Sequence, residues 1–247
     1  PRGRQQMIHK PLVAITGASS GIGAATARAF SKAGHPVLMM ARRTQRMHEM
    51  NLPNAVVETV DVRQRNQIAD AVRNGEAAHG PVDMMFVNAG IARLADIGRQ
   101  PPEEWDEMID INTKGVMNTV HAVMQGMMER RHGTIFMMSS IAGRKVYPDH
   151  TVYCGTKYFV HAVSESLRDY LSDYNVRVIV LSPGVIETEV LSGVLDQQTL
   201  ADYKANKIKM GGGISAEIVA DLILNAYNYP QEAIVQEICI TPTRQKF

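Results

Sequence analysis

Three glycines set between an apolar run and a helical repeat constrain this chain more than any other stretch. Leu12-Val13-Ala14-Ile15 is short and wholly apolar, as a strand buried on both faces is. After Thr16-Gly17-Ala18-Ser19-Ser20-Gly21, the residues Ile22, Thr26, Ala29 and Phe30 recur at helical spacing. The segment therefore reads strand, turn, helix. Glycine adopts backbone angles that other residues avoid and lets another molecule come close to the main chain. The helix start adds unpaired N–H groups and the positive end of the helix dipole, and both favour an anion. The pyrophosphate of a dinucleotide suits such a place.

The spacing Gly17-x-x-x-Gly21-x-Gly23 differs from the common G-x-G-x-x-G fingerprint, and taken alone it also suits a plain strand-to-helix turn. The chain has 247 residues, 45% of them hydrophobic, and a formal charge of +1, enough for one large α/β domain, expected over residues 7–247. Pro1 to Gln6 is basic, polar and aperiodic; it reads as a disordered or appended tail before Met7. No long block of like charge argues for nucleic acid or an anionic membrane. No apolar run approaches the roughly 20 residues that span a bilayer, and no signal-peptide core opens the chain, so a cytoplasmic location is expected. Cys154 and Cys239 are too few for a disulfide framework or a metal cluster, and no metal is expected. The fifteen methionines read as adaptable core filler.

A second apolar run, residues 36–41, ends in Arg42-Arg43. In dinucleotide folds an Asp or Glu about 20 residues beyond the glycines binds the adenosine ribose 2′-OH. No acid occurs here between Gly23 and Glu49. Two arginines suit a 2′-phosphate instead, through charge-assisted hydrogen bonds, so the expected cofactor is NADP(H). Further along, residues 56–62 alternate as a third strand that ends in Asp61-Val62, and a helix is expected over 64–79. A strand over 82–87 runs into Asn88-Ala89-Gly90. Pro101-Pro102-Glu103-Glu104 starts a long helix with the proline and acids that helix starts prefer. Within it Asn112 is out of place on propensity alone. Downstream, Val116, Val120, Val123, Met124, Met127 and Met128 give an apolar surface wide enough to suggest a partner subunit, as in a homodimer or homotetramer.

A fifth strand over 133–139 leads to Ser140. Thirteen residues later comes Tyr153, with Lys157 four residues beyond it on the same helix face. Taken with the octet Thr16 to Gly23, Asn88-Ala89-Gly90 and Asn112, these residues make the chain resemble the short-chain dehydrogenase/reductase family over residues 12–188. That resemblance implies a Rossmann-like α/β fold: a doubly wound, parallel seven-stranded sheet in the order 3-2-1-4-5-6-7, with helices on both faces. It also implies hydride transfer between C4 of a nicotinamide and a carbonyl or secondary-alcohol carbon.

The resemblance assigns the catalytic roles to Asn112, Ser140, Tyr153 and Lys157. Tyr153 exchanges the proton of the substrate oxygen. Because tyrosine titrates near 10, a base useful at neutrality needs its phenolate stabilised by about 4 kcal/mol. Lys157 supplies part of that and holds the nicotinamide ribose. Ser140 hydrogen-bonds the substrate oxygen, and Asn112 holds a water that relays protons. For the cofactor the family implies Gly17, Ser19, Ser20, Gly21, Ile22 and Gly23 at the pyrophosphate, with Asp61 and Val62 at the adenine. Asn88, Ala89 and Gly90 then pass the ribose, and Pro183, Gly184, Ile186 and Thr188 close over the nicotinamide.

Tyr147, His150 and Arg93 are expected to wall the substrate pocket. For a substrate that carries a carboxylate, Arg93, Arg144 or Lys145 is the candidate anchor. Residues 189–213 read as a lid, hinged near Gly211-Gly212-Gly213. A last strand over 233–240 is followed by Thr241-Pro242-Thr243 where many relatives carry a glycine pair. The expected substrate is a small carbonyl or alcohol, polar or a hydroxy acid. Three alternatives stand beside this reading: an NAD-preferring dehydrogenase of the same family, a sugar-nucleotide epimerase of its extended branch, for which the C-terminal region is short, and a non-catalytic dinucleotide sensor.

Overall fold

The computed structural model describes residues 10–246, so the segment Pro1 to Gln6 and Met7 lie outside the described residues. Seven parallel strands form one sheet: β1 (Leu12–Thr16), β2 (Val37–Ala41), β3 (Ala55–Thr59), β4 (Val82–Val87), β5 (Gly133–Met138), β6 (Val176–Pro183) and β7 (Glu237–Ile240). Their spatial order is β3-β2-β1-β4-β5-β6-β7, the doubly wound order expected. The strand periodicity explains the two layers of core. Leu12 and Ala14 of β1, with Leu38 and Met40 of β2, feed one face, where α3 (Arg65–His79), α5 (Gly115–Arg130) and α6 (Thr151–Ser172) pack. Val13 and Ile15, with Val37 and Met39, feed the other. There α1 (Gly21–Lys32) and α8 (Ala216–Tyr227) lie side by side through Phe30, Val219 and Ile223.

Several boundaries differ from the sequence expectation, each for a local reason. A short helix, α2 (Thr44–Glu49), follows Arg42-Arg43 and seats Met47 in the core. The long helix predicted from Pro101 is three pieces: α4 (Pro102–Ile109), a π-helical turn over Asp110–Lys114, and α5. The last strand is only β7, not 233–240. Buried Arg177 donates to the Ala233 carbonyl at the start of that segment and to the Tyr227 and Tyr229 carbonyls just before it, which ties the approach to β7 to β6. The apolar face of α5 is used within the chain. Val116, Val120, Val123 and Met127 are buried and Met124 and Met128 pack on the same core, so this face gives no argument for a partner subunit.

Residues 197–209 form α7 (Gln197–Lys209), capped by Asp196, which accepts from the Thr199 N–H at 2.9 Å. Among the described residues no helix is long and apolar enough to cross a membrane. Cys154 is buried, Cys239 is exposed, and both are free thiols.

Two glycines of similar helical placement have opposite environments. A Cβ on Gly23 would run into the Gly17 carbonyl oxygen, whereas one on Gly155 would meet nothing within 4 Å. Gly23→Ala is therefore expected to cost about 1–3 kcal/mol through overpacking against backbone. Gly155→Ala is expected to gain up to about 1 kcal/mol from helix propensity. Thermal unfolding of the two variants beside the parent checks both signs.

Candidate active site

The C-terminal ends of β1, β4, β5 and β6 open onto a cleft of about 640 Å³. Its floor is fixed by a stitch between β1 and β4. Thr16 Oγ1 donates to the Phe86 carbonyl and accepts the N–H groups of Asn88 and Ala89 at 3.1 and 3.2 Å. Asn88 Nδ2 returns bonds to the carbonyls of Thr16 and Gly17. Gly17, at φ +68, carries the chain past Asn88, where a Cβ would lie 2.8 Å from Nδ2. Gly21, at φ +53, starts α1 against the Thr188 methyl.

All of the residues expected at the cofactor line this cleft except Gly23, whose bare Cα lets α1 press on the Gly17 turn from behind. Asp61 and Val62 lie past the end of β3, and Asp61 is gripped by Arg63 through both carboxylate oxygens, which holds its carboxyl below the usual range. Arg43 donates to Ser20 Oγ at 3.1 Å, tying the end of β2 to the glycine turn.

Ser140, Tyr153 and Lys157 face the same cleft. Ser140 caps the short turn Ile141–Gly143, its Oγ accepting from the Ala142 N–H at 3.1 Å and donating to the Pro183 carbonyl. Lys157 Nζ donates to the Met138 carbonyl at 3.0 Å and lies 5.6 Å from the Tyr153 ring centroid. Ser139 Oγ donates to the Lys157 carbonyl, which clamps the first turns of α6 to β5.

Burial lowers Lys157 to about 8 and pushes the Tyr153 phenol well up, with the neighbouring Ser140 hydroxyl drawing it partly back. Tyr153 keeps some surface, yet that surface faces the bottom of a concave site, where charge is poorly solvated. The direction is opposite to the lowering expected from Lys157.

Asn112 does not line the cleft. It is buried in the π-helical turn, a feature frequent at functional sites. Its Nδ2 donates to the Ile91 carbonyl and Thr156 Oγ1, and its Oδ1 accepts the Ile91 N–H. A Cβ on Gly90 would lie 3.2 Å from that Oδ1 and 3.7 Å from Lys157 Nζ, so both groups look onto the same bare glycine.

The substrate end holds Tyr147, His150 and Arg93 as expected. His150 Nδ1 is 2.6 Å from Asp149 Oδ1, and its ring packs between Tyr147 and Tyr153. The Tyr147 hydroxyl is buried without a partner. Arg93 is no free anchor: Nε and Nη2 bind Glu107, and Nη1 presses on Gly193, where a Cβ would overlap it. Arg144 is held by Glu237 at 2.6 Å, and neither it nor Lys145 reaches the cleft.

Sequence reasoning did not single out Tyr203 of α7, Glu189 or Gln245, all of which line the cleft. Tyr203 packs with Leu191 and Leu200 over Ala92, Leu94 and Val194, and burial raises its phenol to about 12. Gln245 reaches back to accept the Val185 N–H and fills the space beside Gly184.

The short chain dehydrogenase family model matches residues 11–199, and the chain belongs to that family. An uncharacterized oxidoreductase of Staphylococcus saprophyticus is 32% identical over 95% of this chain and 96% of its own length. Among solved structures, the closed form of a serine dehydrogenase complexed with NADP+ is 30% identical over 96% of each chain, with a TM-score of 0.88. The serine dehydrogenase of Escherichia coli is 29% identical over 96% of this chain and 100% of its own, with a TM-score of 0.83.

A lysine lowered from 10.5 to about 8 by burial implies about 3 kcal/mol lost in holding its charge below pH 8. The folded state binds fewer protons than the unfolded one between those values, so this cost is fully present below about 8 and is relieved as pH rises toward 10.5. Lys157→Met is expected to raise the melting temperature at neutral pH. The gain is less than the full cost, because the Met138 carbonyl loses its donor. Melting curves recorded from neutral to alkaline pH should show the advantage shrinking.

Proposed function

We propose that this protein is an NADP(H)-dependent oxidoreductase that moves a hydride between the nicotinamide and the carbonyl or secondary-alcohol carbon of a small polar or hydroxy-acid substrate. The observation that carries the reading is the convergence of Tyr153, Ser140 and Lys157 on the cleft that also contains the glycine turn. The residues fit a dinucleotide. Gly17 and Gly21 leave the main chain bare beside the start of α1, and Arg42 and Arg43 stand at the end of β2. Support for the substrate class comes from the serine dehydrogenases, whose named substrate is itself a small hydroxy acid.

When bound, the nicotinamide supplies or accepts the hydride. In this reading Gly17, Ser19, Ser20, Gly21 and Ile22 hold the pyrophosphate, and Arg42 and Arg43 hold the 2′-phosphate. Asp61 and Val62 take the adenine, Asn88, Ala89 and Gly90 the adjoining ribose, and Pro183, Gly184, Ile186 and Thr188 the nicotinamide. Ser140 Oγ, with its rotamer set by the Ala142 N–H, hydrogen-bonds the substrate oxygen and steadies charge developing there.

A phenol raised by burial stays protonated at neutral pH, so Tyr153 is set to donate a proton during carbonyl reduction. For alcohol oxidation it must first lose that proton, which the positive charge of Lys157 assists. Asn112 Oδ1 keeps one lone pair for a water in the space left by Gly90, which would connect Lys157 to solvent. Tyr147 walls the substrate end of the cleft, and residues 189–213 act as a lid that excludes water through Tyr203 and Leu191.

Tyr153→Phe is expected to lower kcat about 10²–10⁴-fold while leaving NADPH affinity close to the parent's. Retained turnover would sink the acid/base assignment. Titration followed by nicotinamide fluorescence should show NADPH binding more tightly than NADH, with Arg43→Ala weakening NADPH about tenfold or more. An NADH preference unmoved by that change would overturn the cofactor assignment. In pH profiles, kcat/KM for reduction should fall as pH rises through about 8, where Lys157 loses its charge, while that for oxidation should climb up to about the same pH and flatten beyond it as that charge is lost.

A further inference from the structure

Arg43 at the end of β2 and Arg46 in α2 already hold an anion from elsewhere in the chain. Glu189 Oε2 is 2.7 Å from Arg46 Nη1 and 3.5 Å from Arg43 Nη1, across 143 residues of sequence. Arg43 also binds Ser20 on the glycine turn, so Glu189, Arg43 and that turn meet on the rim of the cleft, with Arg46 reaching the carboxylate from α2 outside it. Each partner in this triad is about half exposed, and ion pairs so placed add little to stability. Glu189 also opens the segment over the substrate end, directly after Thr188, whose methyl rests on Gly21.

We infer that Glu189 is a cofactor-specificity residue: its carboxylate, paired with Arg46, also occupies Arg43, the guanidinium it shares with the ribose 2′-phosphate, and must leave Arg43 when a 2′-phosphorylated dinucleotide binds. The inference rests on the NADP(H) reading. A phosphate brings up to two negative charges and three acceptor oxygens against the single charge of a carboxylate, so it takes the arginines. The 2′-hydroxyl of NADH carries no charge to compete for them, so the Glu189 pairs stay in place. Glu189 therefore weakens NADPH without weakening NADH, and the displacement frees the first residue of the segment that covers the substrate end. Because the coupling is reciprocal, whatever holds Glu189 on the arginines opposes the phosphate by the same factor.

Glu189→Gln keeps the shape of the side chain and removes its charge. Titrations with NADPH, NADH and adenosine 2′,5′-bisphosphate test the idea. The variant should bind NADPH and the bisphosphate about threefold to fivefold more tightly, with NADH within about twofold of the parent. In an Arg43→Ala/Arg46→Ala background the same substitution should change NADPH binding by less than about twofold, since the partners of the carboxylate are gone. Equal shifts for NADPH and NADH, no shift for either, or a gain that persists without the arginines would each overturn the role of Glu189. If Arg43→Ala weakens NADPH while any of these occurs, only the Glu189 inference fails. If Arg43→Ala leaves NADPH untouched, the underlying cofactor reading fails and takes the inference with it.

Discussion

The stitch between Thr16 and Asn88 is the interaction on which the rest of the site depends. One hydroxyl and one amide join the ends of β1 and β4 through five hydrogen bonds. They do so where the strands leave the sheet and would otherwise expose unpaired backbone groups. With these two strand ends fixed, the Gly17 turn and the Asn88-Ala89-Gly90 turn lie against each other, and only residues without a Cβ fit at Gly17 and Gly23. The glycines thus serve packing before they serve any ligand. A surface that a dinucleotide can approach closely follows from that packing.

A second set of contacts makes the chemistry of α6 a property of β5. Lys157 is held at both ends, its carbonyl by Ser139 Oγ and its ammonium by the Met138 carbonyl. Asn112 steadies the same helix by donating to Thr156 Oγ1, while Thr156 itself donates to the Tyr153 carbonyl. Burial opposes charge on Lys157 and on the Tyr153 phenolate alike. The protein alone therefore favours a neutral tyrosine, and the fold bears the cost of burying a lysine beside it. Stability is given up where these two titratable side chains sit side by side.

What the sequence made legible was local. The strand, glycine turn and helix come from neighbouring residues, and the Tyr153–Lys157 pair follows from helical spacing. The two-faced sheet follows from apolar runs that feed alternate side chains to two layers. What it hid depends on contacts between distant segments. Arg177 takes the Ala233 carbonyl at the start of the expected strand, along with those of Tyr227 and Tyr229 before it. The π-helical turn that turns Asn112 inward leaves the run of residues through 101–130 looking like one continuous helix. Gln245 fills the space beside Gly184 from 61 positions away, and no neighbouring residue signals it.

The arginine site shows most plainly why local absence of a residue type is weak evidence about a charge environment. No acid stands between Gly23 and Glu49, and a window of that size favours a phosphate. Folding nevertheless delivers Glu189 to within hydrogen-bond reach of Arg46. Coulombic selectivity acts through distance in space, so the quantity that sets cofactor choice is the difference between what the arginines gain from a phosphate and what they lose by releasing a carboxylate. Arginine number alone overstates that difference. Glu189 and the end of β2 thus share one guanidinium, that of Arg43, across 146 positions of sequence.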